Sequence, residues 1–316
     1  MFTLATKDKV LLKLLNSNEY LSGERLAHEF DISRAAVWKA IKALEQDGYN
    51  IEGIPKIGYR LLADNKLVTS QSIEAHLKHK MRVIHFDTVD STNTYCKKLL
   101  ANGAEGEILI TANKQTAGRG RQGKSFYSPD KTGIYFSLVI HPDTSLQNAV
   151  TATTAAAVAV CKAIEKMTEL KPKIKWVNDV YLDGKKICGI LTEATTNFET
   201  GTVESVIIGI GINISTTEFP DGVDGAGCLN VDINRSEFIA EIVNELMNIV
   251  AGDYASFIDY YRSHSMVIGE KIKFIQNGET HFATALAIDE HGGLEVELDT
   301  GEKQTLRSGE ITIRKI

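Results

Sequence analysis

The chain has 316 residues, 43% of them hydrophobic and 24% charged, with a net charge of −6 at pH 7. That composition suits a soluble globular protein of two or three domains and excludes a general polyanion binder, so any nucleic-acid site must be local. Cys96, Cys161, Cys188 and Cys228 are too widely spaced for a zinc pattern or a compact disulfide framework, which fits a reducing cytoplasm, and there is no signal peptide or bilayer-length apolar run.

Residues 1–65 predict a winged helix-turn-helix. Val10, Leu11, Leu14 and Leu15 recur at helical spacing in a first helix. Ser22 caps a second helix with Leu26 and Phe30 on its apolar face, and Asp31-Ile32 makes the turn. Ser33 caps a third helix that runs to the stop at Gly48, with Val37, Ile41 and Leu44 as its buried stripe. Tyr49–Gly53 and Lys56–Leu62 then form a hairpin across Ile54-Pro55, with Lys56, Tyr59 and Arg60 available to a wing. The third helix opens on Ser33-Arg34 and carries small Ala35 and Ala36, so it can approach a major groove closely, with Trp38, Lys39 and Lys42 on its outer face. Arg34 can read a guanine or hold a phosphate, and the sequence leaves both open. The domain is about neutral, which predicts modest, dimer-dependent DNA affinity.

Ala63–Ser70 reads as a linker, Thr69-Ser70-Gln71 as the start of a helix through Leu77, and Val83–Asp87 as a strand. Asp90-Ser91-Thr92-Asn93 starts a helix through Leu100. Ser91 is a good N-cap, and neighbouring polar side chains at a helix start can also bind a small polar ring. The apolar run Gly106–Ala112 reads as a buried strand, followed by the loop Gly118-Arg119-Gly120-Arg121-Gln122-Gly123-Lys124-Ser125-Phe126. Alternating glycines and cations let such a loop expose its amides and bring positive charge onto one anionic ligand. The loop also fits G-x-G-x-x-G, but Pro129, Gly133 and a Ser-Pro pair deny the helix that a dinucleotide fold needs next. A strand at Ile134–His141, a loop at Pro142–Gln147 and an alanine-rich helix over Ala149–Glu169 follow.

Lys175-Trp176-Val177-Asn178-Asp179 enters a hairpin turned by Asp183-Gly184 and continued by Lys185-Lys186-Ile187-Cys188. Asn178 and Asp179 can hold a metal-bound triphosphate there, and a lysine of the pair can meet phosphate charge. The strand Ser205–Ile214 ends at Asn213, and its Gly209 and Gly211 strip one face for close approach by a ligand or a second backbone. The long polar loop Ser215–Asn230 is of a functional or disordered kind, and Phe238–Phe257 reads as one amphipathic helix. Residues 266–316 are short alternating strands broken at Asn277-Gly278, His291-Gly292-Gly293, Thr300-Gly301 and Ser308-Gly309, which predicts a small SH3-type β-barrel.

In this order, over essentially the whole chain, these pieces resemble the bifunctional biotin protein ligases that double as repressors of the biotin operon. The resemblance is carried by Ser33-Arg34-Ala35-Ala36, Asp90–Asn93, Gln115–Gly123, Lys175–Asp179, Lys186, Gly209–Asn213 and the C-terminal strands. It implies an α+β fold with a winged helix-turn-helix (1–65), a central mixed-sheet ligase domain with flanking helices (66–265) and an SH3-like β-barrel (266–316). It further implies ATP- and Mg²⁺-dependent activation of biotin to biotinyl-5′-AMP and transfer to a lysine of a biotin carboxyl carrier protein. With the adenylate as corepressor, a cytoplasmic homodimer would bind operator DNA, without any membrane partner.

The resemblance also assigns roles. Arg119, Arg121 and Lys186 are the implied catalytic cations. Ser91, Thr92, Asn93, Gln115, Gly120, Gly209 and Gly211 join them around biotin. Phe126, Asn178, Asp179 and Asn213 join Arg121 and Lys186 around the adenylate, and Asp179 takes the metal. Ser33, Arg34, Ala35, Ala36, Trp38, Lys39, Lys42 and Lys56 are the implied DNA contacts. Two positions depart from the pattern: Val177 replaces the usual proline, which predicts a looser turn, and Phe126 replaces a common tryptophan, which predicts weaker ring packing over biotin. A lipoate ligase with an added DNA-binding domain and a non-catalytic nucleotide-sensing repressor are the rival readings.

Overall fold

The computed structural model describes residues 5–62, 67–141, 149–196, 203–223, 225–252, 254–276, 279–307 and 311–313. The chain divides into two compact units, residues 1–78 with 233–241 and residues 79–232 with 242–316.

In the first unit, helices α1 (Thr6–Leu15), α2 (Gly23–Phe30) and α3 (Arg34–Gln46) precede strands β1 (Ile51–Ile54) and β2 (Gly58–Leu61) and the short helix α4 (Ser70–Glu74). The Ser22 side chain accepts from the Arg25 amide and Ser33 from the Ala36 amide. Replacing either serine by alanine would cost about 1 kcal/mol. Val10, Leu11, Leu14, Leu26, Val37, Ile41 and Leu44 meet in one core because helical spacing stacks them on facing stripes. Leu21 pairs with β2 through two backbone hydrogen bonds to Tyr59 of 2.8 and 2.9 Å. Gly58 has φ +142°, and a Cβ there would lie 2.3 Å from the Leu21 carbonyl oxygen, so that closure requires glycine.

Ser33, Arg34, Ala35, Trp38, Lys39 and Lys42 are exposed on or beside α3, Ala36 is half-buried, and Lys56 is exposed at the hairpin tip. Two residues expected at the wing are engaged elsewhere. Tyr59 packs on the helical core. Arg60 donates to Glu52 at 2.9 Å and lies 4.6 Å over the Tyr20 ring. Helix α4 ends at Glu74 rather than Leu77, after a capping box between Thr69 and Ser72.

The second unit is built on strands β3 (Arg82–Val89), β4 (Ile108–Gln115), β5 (Gly133–Ile140), β6 (Lys173–Lys175), β7 (Asp179–Leu182), β8 (Lys185–Thr196) and β9 (Val203–Asn213). Their order is β3-β4-β5-β9-β8-β7-β6, parallel at β3/β4 and antiparallel elsewhere. Helix α5 (Thr92–Ala101) lies on one face, where Cys96 meets Ile108, Ile110, Val139 and Ile207. Helix α6 (Ala149–Met167) lies on the other, where the Thr153 hydroxyl donates to Thr192 at 2.8 Å. Burial on both faces explains the unbroken apolar runs of β5 and β9. Burial also raises the thiol pKa of Cys96 to about 12 and pushes those of Cys161 and Cys188 far up, so these cysteines stay neutral.

The single helix expected over Phe238–Phe257 is two, α7 (Arg235–Ala251) and α8 (Tyr254–His264), separated at Gly252, a poor helix former. Strands β10 (Lys271–Gln276), β11 (Glu279–Ile288), β12 (Leu294–Leu298), β13 (Lys303–Leu306) and β14 (Ile311–Ile313) form an antiparallel sheet ordered β13-β12-β11-β10-β14. Among the described residues its two end strands do not pair, so the pairing is that of an open sheet. The turns expected at Asn277-Gly278 and Ser308-Gly309 and the loop Pro142–Gln147 lie outside the described residues.

Candidate active site

Strand register builds the site. Ser137 of β5 pairs with Gly209 of β9, which pairs with Leu191 of β8. One row along, Tyr135, Gly211 and Gly189 align in the same way. Alternation points all six at the face that carries α5. Gly209 and Gly211 line the pocket and also make room for side chains of the protein. A Cβ at Gly209 would lie 2.1 Å from Asn93 Oδ1, and one at Gly211 would lie 2.4 Å from the Phe126 ring. The stripped face thus admits two side chains of the protein, and the pocket opens beside them.

The polar start of α5 is itself tied down. Ser91 caps the helix through the Thr94 amide, so its hydroxyl has a structural task. Gln115 Oε1 accepts from the Thr92 amide at 2.9 Å, and Gln115 Nε2 donates to Ser128 at 2.9 Å. The Ser137 hydroxyl reaches both Thr92 Oγ1 (2.7 Å) and Asn93 Oδ1 (2.6 Å). Phe126 meets Tyr135 edge-on at 6.4 Å and covers Gly211.

The glycine–arginine loop closes on itself. The amides of Gly120, Lys124 and Phe126 donate to the carbonyls of Lys124, Arg121 and Gly118, so these three are engaged within the loop. The loop also presents side-chain charge. Arg121 donates to Asn178 Oδ1 at 3.0 Å, and Arg119 meets Glu193 at 3.2 Å.

The Trp176-Val177-Asn178-Asp179 segment splits in two. Trp176 is buried and donates to the Gly292 carbonyl at 2.9 Å, and the Val177 carbonyl accepts from buried Tyr261 at 3.3 Å. The turn is therefore pinned without proline. Asn178 and Asp179 reach the pocket, where Asp179 Oδ1 lies 2.7 Å from Lys186 Nζ and accepts from Asn178 at 2.9 Å. A bulge decides between the two lysines. Asp179 pairs with Gly189, but after a register shift Tyr181 pairs with Lys186. Strict alternation from Gly189 would have selected Lys185, and the extra residue turns Lys186 to the site instead.

Arg119, Arg121, Lys124 and Lys186 line one pocket of about 830 Å³, together with Ser91, Thr92, Asn93, Gln115, Gly120, Phe126, Asn178, Asp179, Gly209 and Gly211. Four cations against one lining carboxylate, Asp179, leave a formal excess of +3, which favours anionic ligands. Asn213 is not among the lining residues: it is buried, and its Nδ2 donates to the Gly227 carbonyl at 2.9 Å. It thereby holds the Ser215–Asn230 loop, which is also clamped by Lys186 backbone bonds to Gly225 and Gly227. No cluster of three metal-ligating side chains occurs among the described residues.

Sequence reasoning missed Glu193, Lys97 and Gly189. Glu193 bonds Lys97 at 2.7 Å and Asn93 at 3.0 Å beside its pairing with Arg119. Burial would raise its carboxyl pKa, but hydrogen bonds from Lys97 and Asn93 and the charges of Lys97 and Arg119 outweigh that and hold it low. The available signal was parity: Glu193 stands two and four residues from Leu191 and Gly189 on the site-facing side of β8.

Three family models match in order: an HTH domain over residues 7–60, the biotin/lipoate A/B protein ligase family over 85–213, and the biotin protein ligase C-terminal domain over 267–314. The bifunctional ligase/repressor BirA of Bacillus subtilis is 33% identical over 94% of this chain and 95% of its own length. That of Escherichia coli is 28% identical over 96% of each chain. The biotin protein ligase from Aquifex aeolicus in complex with biotin and ATP superposes with a TM-score of 0.63, at 27% identity, over 74% of this chain and 99% of that one. On the match to the Bacillus relative along nearly its full length, the chain belongs to the bifunctional ligase/repressor branch of the biotin/lipoate protein ligases.

Proposed function

We propose that the pocket joins the carboxylate of biotin to the α-phosphate of ATP and then passes biotin to a lysine of a biotin carboxyl carrier protein. The observation that carries this reading is the placement of Arg119, Arg121 and Lys186 around one cavity. A carboxylate oxygen attacks the α-phosphorus and pyrophosphate leaves. A carrier lysine amine then attacks the acyl carbon, an amide forms, and AMP leaves. Both reactants of the first step are anions, so the barrier is largely electrostatic, and fixed cations are the needed device. No general base is required there, because the carboxylate is already a nucleophile at neutral pH.

Lys186 is assigned to the meeting point of carboxylate and α-phosphate, Arg121 to the phosphate, and Arg119 to the rim near ring and carboxylate. Ser91, Thr92, Asn93, Gln115, Gly120, Gly209 and Gly211 are assigned to the biotin end, and Phe126, Asn178 and Asp179 to the adenylate. Asn213 acts on the adenylate through the loop that it holds. That loop shields the mixed anhydride from water. Mg²⁺ fits as a companion of the phosphates rather than as a resident ion. Asp179, which is also engaged by Lys186 and Asn178, would hold the metal, which would supply charge neutralisation at the phosphates.

On the same reading, Ser33, Arg34, Ala35, Ala36, Trp38, Lys39, Lys42 and Lys56 face operator DNA of biotin genes in the cytoplasm. No helix among the described residues is long and apolar enough to cross a membrane. We divide the chain into modules at 1–65, 66–265 and 266–316, and infer that the C-terminal sheet curls as an SH3-like barrel. We place a homodimer contact on Gly189–Thr195 and on Pro142–Gln147, although β8 is not an edge strand as expected: Gly189 pairs with Asp179 of β7, and only the part of β8 beyond it is left by β7. Sedimentation should show biotinyl-AMP raising dimer content, and equal dimerisation without it would refute that contact's regulation.

The catalytic reading is tested by ATP–pyrophosphate exchange with biotin and lipoic acid supplied separately. Exchange with biotin alone is expected. Exchange with lipoic acid alone would make the chain a lipoate ligase, and binding without exchange would make it a nucleotide-sensing repressor.

A further inference from the structure

Glu193 is the least explained charged group near the pocket. Its side chain is only 17% exposed. It sits one row beyond the Leu191–Gly209 pair, opposite Ile207. Oε1 takes Lys97 Nζ at 2.7 Å and Arg119 Nη2 at 3.2 Å, while Oε2 takes Asn93 Nδ2 at 3.0 Å and Arg119 Nη1 at 3.3 Å. Arg119 is thus gripped by both oxygens in the planar fork that guanidinium and carboxylate form together.

The consequence falls on Asn93. An ionised carboxylate only accepts hydrogen bonds, so the Asn93 amino group must face it. That group donates to the Leu191 carbonyl at 3.2 Å as well, so both of its protons are spent. Oδ1 takes the Ser137 hydroxyl and keeps a second lone pair, on a side chain that is 3% exposed and lines the pocket. Asn93 therefore addresses a ligand as an acceptor.

We propose that Glu193 is a positioning residue that fixes the Asn93 amide oxygen toward the pocket and anchors Arg119 at its rim, and so selects a ring that donates N–H groups. This rests on the biotin reading above. The ureido ring of biotin offers two N–H donors, and the dithiolane of lipoic acid offers none. Neutralising Glu193 replaces an obligate acceptor with an amide that can face Asn93 by either end, which leaves the Leu191 carbonyl alone to hold the Asn93 orientation and releases Arg119.

The test is ATP–pyrophosphate exchange by the full chain, comparing wild type with Glu193→Gln and Lys97→Met. Glu193→Gln is expected to raise the KM for biotin by about tenfold, leave the KM for ATP within about twofold, and raise the rate with lipoic acid relative to biotin by about tenfold. Lys97→Met, which keeps the Asn93 and Arg119 bonds, should change either KM by less than about threefold. A merely structural role would lower Tm and shift both KM values together without moving the biotin-to-lipoate ratio, and that result overturns the proposal. So does a Glu193→Gln enzyme with an unchanged KM for biotin. If Glu193→Gln fails to fold, the Lys97→Met/Glu193→Gln pair removes the unbalanced cation and is read in the same way. Wild type that is inactive with biotin refutes the underlying reading, and this proposal with it. Wild type active with biotin and indifferent to Glu193 refutes this proposal alone.

Discussion

Helix α3 and the pocket both present cations, but they hold them differently. Among the described residues Lys42 pairs with Glu45, a neighbour on its own helix, while Arg34 and Lys39 have no ionic partner and stand exposed with Lys56 at the hairpin tip. In the pocket Arg119 is held by Glu193, Arg121 by Asn178 and Lys186 by Asp179. A surface that follows a phosphate backbone needs mobile charge and is screened by salt. A site that must join two anions needs charge already placed, with reorganisation settled during folding. Loss of a surface cation removes one weak contact, whereas loss of a placed cation also strands its partner.

The largest effect that follows from this contrast is at Lys186. Lys186→Met should lower kcat/KM for biotin-dependent pyrophosphate exchange by about 10²–10³-fold, because it removes a transition-state cation and leaves Asp179 unbalanced. DNA affinity of the ligand-free chain should not change, as a gel-shift titration would show. A loss below about fivefold would mean that pocket charges act as loosely as surface ones and would break the comparison. The Glu193 variants come next in size, since they move a placed cation without deleting one.

How much of this was legible beforehand depended on locality. The caps Ser22 and Ser33, the stripe Val37–Ile41–Leu44 and the Asp183-Gly184 turn are local features with one dominant physical reading, and the structure contains them. The convergence of Arg119, Arg121 and Lys186 could be argued from chemistry but not from residue spacing, since it depends on sheet order. The bulge that presents Lys186 has no sequence signature beside Lys185-Lys186. Glu193 was missed because an acid on a strand reads as solvent-facing until register assigns its side. Asn213 closed the right strand, yet its side chain turns to the Gly227 carbonyl, a contact between residues that only the loop's return brings together. The Phe238–Phe257 helix was overextended because periodicity outweighed Gly252.

The smallest expected effect falls inside the DNA-binding unit, in the hairpin, where Arg60 is held as the cations of the pocket are. Arg60 is in the wing hairpin but is held by Glu52 and stacked on Tyr20, whereas Lys56 stands at the tip. Lys56→Ala should weaken operator and non-operator DNA alike by a few-fold and reduce the slope of log affinity against log salt by about 1. Arg60→Ala should leave that slope unchanged and lower Tm slightly, because its charge is spent within the protein. The carboxyl of Glu52 is kept below its usual pKa, first by the Tyr20 hydroxyl and then by Arg60. A folded pKa below the unfolded one means stability that is present at neutral pH and lost as pH falls through the lowered value. The Tm penalty of Arg60→Ala should therefore shrink on acidification, while the DNA effect of Lys56→Ala, which involves no titrating partner, should not follow that trend. If Arg60→Ala instead changes the salt slope as Lys56→Ala does, Arg60 leaves Glu52 for phosphate on binding, and holding by a carboxylate does not by itself set a cation's task.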